Sequence, residues 1–321
     1  MTQPAGGVRA QMWAARVEGA TAPFDTIHIK VFYPAGEPDR LSGIAAPDPS
    51  AAPYPVVVFA PGVNVGVEAY SWLAERLAAA GIAVATYSWV GELFPGQYGI
   101  TPGVVMANLS PEGWGAGPTS DAIAPVLEGL AALNDGPLAG ALDLSRVILG
   151  GHSGGGTVAL HNAAPDFFPN VVAGFCYAAH AGLAQVLGWP PESIVPPTGG
   201  VPFLFMNGTR DGVIAASGAR YGVETWDPVR RTIDEALPAG STYVVFEGAN
   251  HFALGHPEDP TLARGFLDLE PTTPPEKTRE AIAEVTTLFC LAHARGDEEA
   301  ARALDAWLAS PPAVVSEAGS K

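Results

Sequence analysis

The chain of 321 residues predicts an α/β fold, a mostly parallel central sheet with helices on both faces. Three observations carry that expectation. Short apolar runs rich in β-branched residues alternate with longer stretches of helical period. Several runs are continuously apolar, as strands covered on both faces are. The composition, 48% hydrophobic against 15% charged, belongs to a chain able to bury a large core.

Taken in order, DTIHIKVFYP (25–34) alternates like an early antiparallel strand, and YPVVVFAPG (54–62) is an apolar strand ending in a Pro-Gly turn. A helix near 67–80 ends at Gly81, followed by the strand IAVATYS (82–88). Helix 120–134, strand 146–152, helix 154–164, and strands 171–178 and 201–208 come next. A helix near 226–237, strand 241–248 and helix 275–296 complete the series. Two stretches break the rhythm, 89–118 and 181–200, both long and rich in Gly and Pro. Each follows a strand on the carboxyl side of the sheet, where open α/β folds bind ligands, and both are expected to form lid or pocket walls. With no repeat and no linker, residues 1–310 read as a single domain and 311–321 as a frayed, flexible tail.

The net charge of −17 repels phosphate backbones and anionic membrane surfaces, so nucleic acid is not an expected partner. The two cysteines, Cys176 and Cys290, fall in a strand and a helix and read as free core thiols rather than a disulfide framework. The first residues hold no apolar stretch of signal-peptide length, and nowhere is there a run of ~20 apolar residues. The expectation is no membrane insertion and a cytoplasmic location.

One segment carries chemistry. In LGGHSGGGTVAL (149–160) the glycines suggest a phosphate cradle, but a P-loop needs a Lys and then Ser or Thr after them, and none is present. Gly154, Gly156 and Ala159 fit a dinucleotide fingerprint, yet no acidic residue for the ribose follows before Glu192. The remaining frame is G-x-S-x-G, Gly151-His152-Ser153-Gly154-Gly155. Here Ser153 sits on a strained strand-to-helix turn where flanking side chains would collide. A serine nucleophile needs a general base, and the base an acid to hold its tautomer. MNGTRDGVI places Asp211 after strand 201–208, and FEGANHFAL places His251 after strand 241–248. The order Ser, Asp, His and the placement after successive strands both suit this chemistry. Glu247 is the weaker acid, lying within or just after its strand. An oxyanion needs two donors. The amide of Gly154 follows the nucleophile, and in FAPGVNVG the open backbone at Gly62 lets the amide of Val63 face the site, unless that segment is a plain strand-ending turn. His256, Glu258 and Asp259 match no common metal spacing, so no metal is expected.

With these residues in place, the chain from about 25 to 300 resembles the α/β-hydrolase superfamily. YPVVVFAPG, YSWLAERLAAAGIAVATYS, DLSRVILGGHSGGGTVAL and EGANHFA resemble, within it, the branch of chlorophyllases, platelet-activating-factor acetylhydrolase-like enzymes, cutinase-like polyester hydrolases and dienelactone hydrolases. The resemblance implies an α/β-hydrolase fold and a serine carboxylic ester hydrolase acting through an acyl-enzyme without a cofactor. It implies Ser153, Asp211 and His251 as the triad, and Val63 and Gly154 as oxyanion donors. Two departures bear on substrate. His180 stands near the position where the polyester hydrolases carry a Trp, and Ser153 replaces the Cys nucleophile of dienelactone hydrolases. The same triad would serve an amidase, a peptidase or an acyltransferase, and polyester cleavage is a further alternative. A non-catalytic binding protein would normally show a broken triad.

The expected partner is a small-molecule ester, apolar or aromatic. Asn64, Trp89, Phe94, Trp114, His180 and Trp189 are the candidate pocket residues. The aromatic ones either line the pocket or anchor their loops, and His180 is either a substrate contact or a satisfied structural histidine. Oligomeric state does not follow from the sequence.

Overall fold

Alternation along one central strand divides the core in two. In β3 (Tyr54–Ala60), Val56, Val58 and Ala60 face one apolar layer, and Val57 and Phe59 face the other. Burial on both faces is why this strand reads as an unbroken apolar run. The computed structural model describes residues 7–39, 45–94, 96–262 and 264–321, and the strands within them form a 10-stranded sheet. The other strands are β1 (Val8–Arg16), β2 (Thr26–Pro34), β4 (Ala83–Phe94), β5 (Gln97–Ile100), β6 (Leu142–His152), β7 (Val171–Tyr177), β8 (Phe203–Gly208), β9 (Thr242–Phe246) and β10 (Val315–Ser320). Their order is β1-β2-β4-β3-β6-β7-β8-β9-β10, with β5 paired to β4 off that path. From β4 to β9 the neighbours run parallel. Antiparallel β1 and β2 close one side, and antiparallel β10 the other. The protein is therefore α/β with a mixed sheet whose centre is parallel.

The helices are α1 (Ser71–Ala79), α2 (Ile123–Asp135), α3 (Gly154–Asn162), the single turns α4 (Gly212–Ala215) and α5 (Val229–Arg231), α6 (Pro275–Cys290) and α7 (Glu298–Ala309). α2, α3 and the turns from Val229 to Ala236 cover the face of Val56 and Val58. α1, α6 and α7 cover the opposite face. Phe59, Phe175, Phe246 and Phe289 are among the buried side chains of that second layer. Each contributes roughly 1.5–3 kcal/mol relative to an exposed position. Cys176 and Cys290 are free and buried on opposite faces of the sheet, so the sheet itself separates the thiols. Among the described residues, no helix is long and apolar enough to cross a membrane.

Two expectations need correction. Residues 311–321 do not fray, because Val315–Ser320 form β10 against β9. Main-chain bonds from Gly240 to Lys321 and from Lys321 to Ser241, both 2.8 Å, fasten its end, and Arg230 pairs with Glu317 at 2.7 Å. The 89–118 stretch is not loop from its start. β4 runs on to Phe94, and β5 folds back on it as a hairpin. The expected 275–296 helix is α6 continued by one wide turn, Leu291–Arg295, and stopped by left-handed Gly296.

Candidate active site

The β6–α3 junction is shaped by what its glycines lack. Ser153 stands at φ 55°, ψ −125°, a region costing an L residue about 1–3 kcal/mol. A Cβ on Gly151 would lie 2.2 Å from the carbonyl oxygen of Gly155, and one on Gly155 would lie 2.2 Å from that of Ala60. Only hydrogens fit at both places, so the turn can pack against the end of β3 and present the Ser153 hydroxyl above the sheet.

The strand ends bring two partners to that hydroxyl. Asp211 begins α4 just beyond β8. Its Oδ1 accepts from the amide of Ile214 at 2.8 Å, and its Oδ2 lies 2.8 Å from Nδ1 of His251. His251 lies in the turn after β9, with Nε2 2.9 Å from Oγ of Ser153. Both partner side chains are deeply buried, 3% exposed for His251 and 6% for Asp211. A carboxylate only accepts, so Nδ1 carries the His251 proton and Nε2 offers its lone pair to the Ser153 O–H. The structure thus joins Ser153, His251 and Asp211 in one hydrogen-bonded row.

Val63 and Gly154 face each other beside the row. The side chain of Val63 lies 3.2 Å from where a Gly154 Cβ would be. Among the described residues, no acceptor engages the amide of either one. Gly154 is also the first residue of α3, whose N-terminal amides favour negative charge.

No family model and no curated protein matches the chain.

Around the row lies a supporting layer with no signature in the sequence. The Asp268 carboxylate accepts from the amides of Gly212 (3.0 Å), His251 (3.2 Å) and Phe252 (3.3 Å), tying the acid turn to the histidine turn. Burial raises its pKa above the usual carboxylate range, while His251 and its amide act to lower it. Tyr177 donates to the carbonyl of Asn250 at 2.7 Å, and Trp72 to that of Leu254 at 2.8 Å. His152, beside Ser153, contacts the carbonyl of His251 through Nε2 at 2.9 Å.

The candidate pocket residues separate. Trp89 is buried in the core and donates to the carbonyl of Phe24 at 2.8 Å, so it anchors β4 rather than lining a pocket. Asn64 joins the β3 turn to the end of β5, its amide bonding to the carbonyl of Ile100 (2.9 Å) and its Oδ1 accepting from the amide of Ile100 (3.1 Å). Trp114 and Trp189 meet edge-on at 6.2 Å, and Trp189 donates to the carbonyl of Leu109 at 2.7 Å. With Leu183 and Val195 they form a small apolar cluster that binds the two expected loops to each other. His180 is buried, with Nδ1 accepting from the amide of Gly182 (3.0 Å) and Nε2 3.3 Å from the Tyr221 hydroxyl, the satisfied structural alternative. The side chain of Phe94 lies outside the described residues.

Proposed function

We propose that the protein is a serine hydrolase of α/β-hydrolase type that cleaves carboxylic esters through an acyl-enzyme. The single observation that carries this reading is the Ser153–His251–Asp211 row, with its 2.9 and 2.8 Å links. In the proposed cycle, Ser153 Oγ attacks the ester carbonyl while Nε2 of His251 takes the hydroxyl proton. Asp211 holds the Nδ1 proton and stabilises the imidazolium. The oxyanion of the tetrahedral intermediate accepts from the amides of Val63 and Gly154, donors worth about 2.7–4 kcal/mol each where measured in other enzymes. His251 then protonates the leaving alcohol, and water repeats the sequence on the acyl-enzyme.

The surroundings support a substrate class. Val63 (44% exposed), packed beside Gly154, and Leu269, next to the Asp268 that accepts from the His251 amide, are exposed apolar side chains near Ser153. They support an apolar acyl or alcohol group. The test is turnover of short p-nitrophenyl esters by the purified chain. Ser153→Ala is expected to lower kcat at least about 10⁴-fold. An inactive wild type, or a Ser153→Ala variant that keeps its rate, would overturn the reading.

A further inference from the structure

The row of three accounts for Ser153, His251 and Asp211 but not for a second buried chain of hydrogen bonds beneath it. Along β6 the side chains alternate, and His152 points to the α1 side of the sheet with Ile148. There it meets Tyr70, the residue before α1. The Tyr70 hydroxyl lies 2.9 Å from Nδ1 of His152 and accepts from the amide of Gly62 at 3.0 Å. On its other side, Nε2 of His152 lies 2.9 Å from the carbonyl of His251. His152 and Tyr70 are each 1% exposed.

The chemistry of these groups leaves one arrangement of protons. A carbonyl only accepts, so Nε2 of His152 carries its proton and donates to His251. Nδ1 then has a lone pair, and Tyr70 donates its O–H to it while its oxygen receives the Gly62 N–H. Every polar atom in the chain is satisfied, and the chain runs from Gly62, next to the Val63 oxyanion amide, to the main chain of the general base. Gly62 also packs directly on the histidine, since a Cβ there would lie 2.9 Å from Nδ1.

We infer that His152 and Tyr70 are positioning residues, a relay that holds the oxyanion turn and the catalytic histidine in one fixed geometry. Neither touches substrate. The relay fixes Val63 through Gly62 and His251 through its carbonyl, so that donor and base keep their spacing as charge develops on the oxyanion. A shift of the base against the oxyanion donors would slow chemistry without weakening ground-state binding, so the effect belongs in kcat.

The inference rests on the serine-hydrolase reading, and the experiment separates the two. Tyr70→Phe keeps the ring and removes the hydroxyl that Gly62 and His152 share. His152→Leu removes both ring nitrogens, while His152→Gln keeps a donor near the position of Nε2. Steady-state kcat and KM on a p-nitrophenyl ester are measured for each variant and for the Tyr70→Phe/His152→Leu double variant, with thermal midpoints as the check on folding. The relay predicts that Tyr70→Phe and His152→Leu each lower kcat about tenfold or more with KM within about twofold, and that the double variant is no slower than the worse single one. It also predicts that His152→Gln recovers severalfold over His152→Leu. If Tyr70→Phe keeps the wild-type kcat within about twofold, or the two losses multiply in the double variant, the relay is overturned while the hydrolase reading stands. A folded wild type with no turnover overturns both.

Discussion

At the scale of single residues, Asp211 does two separable jobs. One oxygen caps α4 through Ile214, and the other receives the His251 Nδ1 proton. Asp211→Asn can keep the cap, since Asn and Asp are nearly equal there, but turns an amide N–H toward His251 and reverses the imidazole tautomer. The expected outcome is a kcat about 10⁴-fold lower with a thermal midpoint close to wild type. A comparable loss in both would assign Asp211 a structural role only. His161 offers the opposite case. It is buried against the Trp114 indole at 4.8 Å, and neither ring nitrogen has a partner among the described residues. His161→Phe removes a desolvated polar group that makes no hydrogen bond, and is expected to stabilise the protein by about 1 kcal/mol in urea denaturation at pH 7. A loss of stability would mean the ring makes a polar contact after all.

At the scale of elements, much of the architecture is legible before any coordinates, for a physical reason. Strands buried on both faces must be apolar throughout, so β3, β7 and β8 stand out, and the β6–α3 turn requires glycine at 151 and 155. Edge strands carry no such mark. β10, with Glu317, Gly319 and Ser320, has the composition of a tail, and its order comes from partners distant in sequence: β9, Arg230 and the carbonyls that the Lys321 ammonium reaches at 233 and 234. Asp268 and His152 are hidden for a related reason. Their roles depend on which peptide groups the fold brings near them, and neither spacing nor composition records that. Trp89 illustrates the reverse error, because a Gly- and Pro-rich neighbourhood suggests loop where pairing with Ile27 extends a strand. A chain ending at Ser310 tests the edge. Without β10 the open side of β9 is unpaired, so the thermal midpoint should fall by several degrees and the protein should become prone to aggregation. An unchanged midpoint would show that β10 adds nothing to the fold.

For the molecule as a whole, buried histidines set the response to acid. Burial holds His152 and His161 at about 3 and His180 at about 4, against an ordinary 6.5. Between pH 6.5 and about 4 the unfolded chain takes up protons that the folded chain refuses, so stability falls as pH falls through this window. The slope is up to about 1.4 kcal/mol per pH unit for each histidine. Asp121 and Asp268, whose pKa values desolvation raises, oppose the trend at its acid end, because there the folded chain binds the proton first. Urea midpoints should therefore drop steadily from pH 7 to pH 5, and the drop should be shallower in His161→Phe. A flat profile would contradict the burial of these rings in a proton-excluding core.

The central claim is that Ser153 is an activated nucleophile, and covalent labelling reads it directly. Wild-type protein treated with a fluorophosphonate probe, digested and mapped by mass spectrometry should carry one phosphonyl group on Ser153. Labelling should be strongly slowed in a His251→Ala variant and absent in Ser153→Ala. A folded wild type that remains unlabelled, or a label on any other residue that persists in Ser153→Ala, would contradict the account.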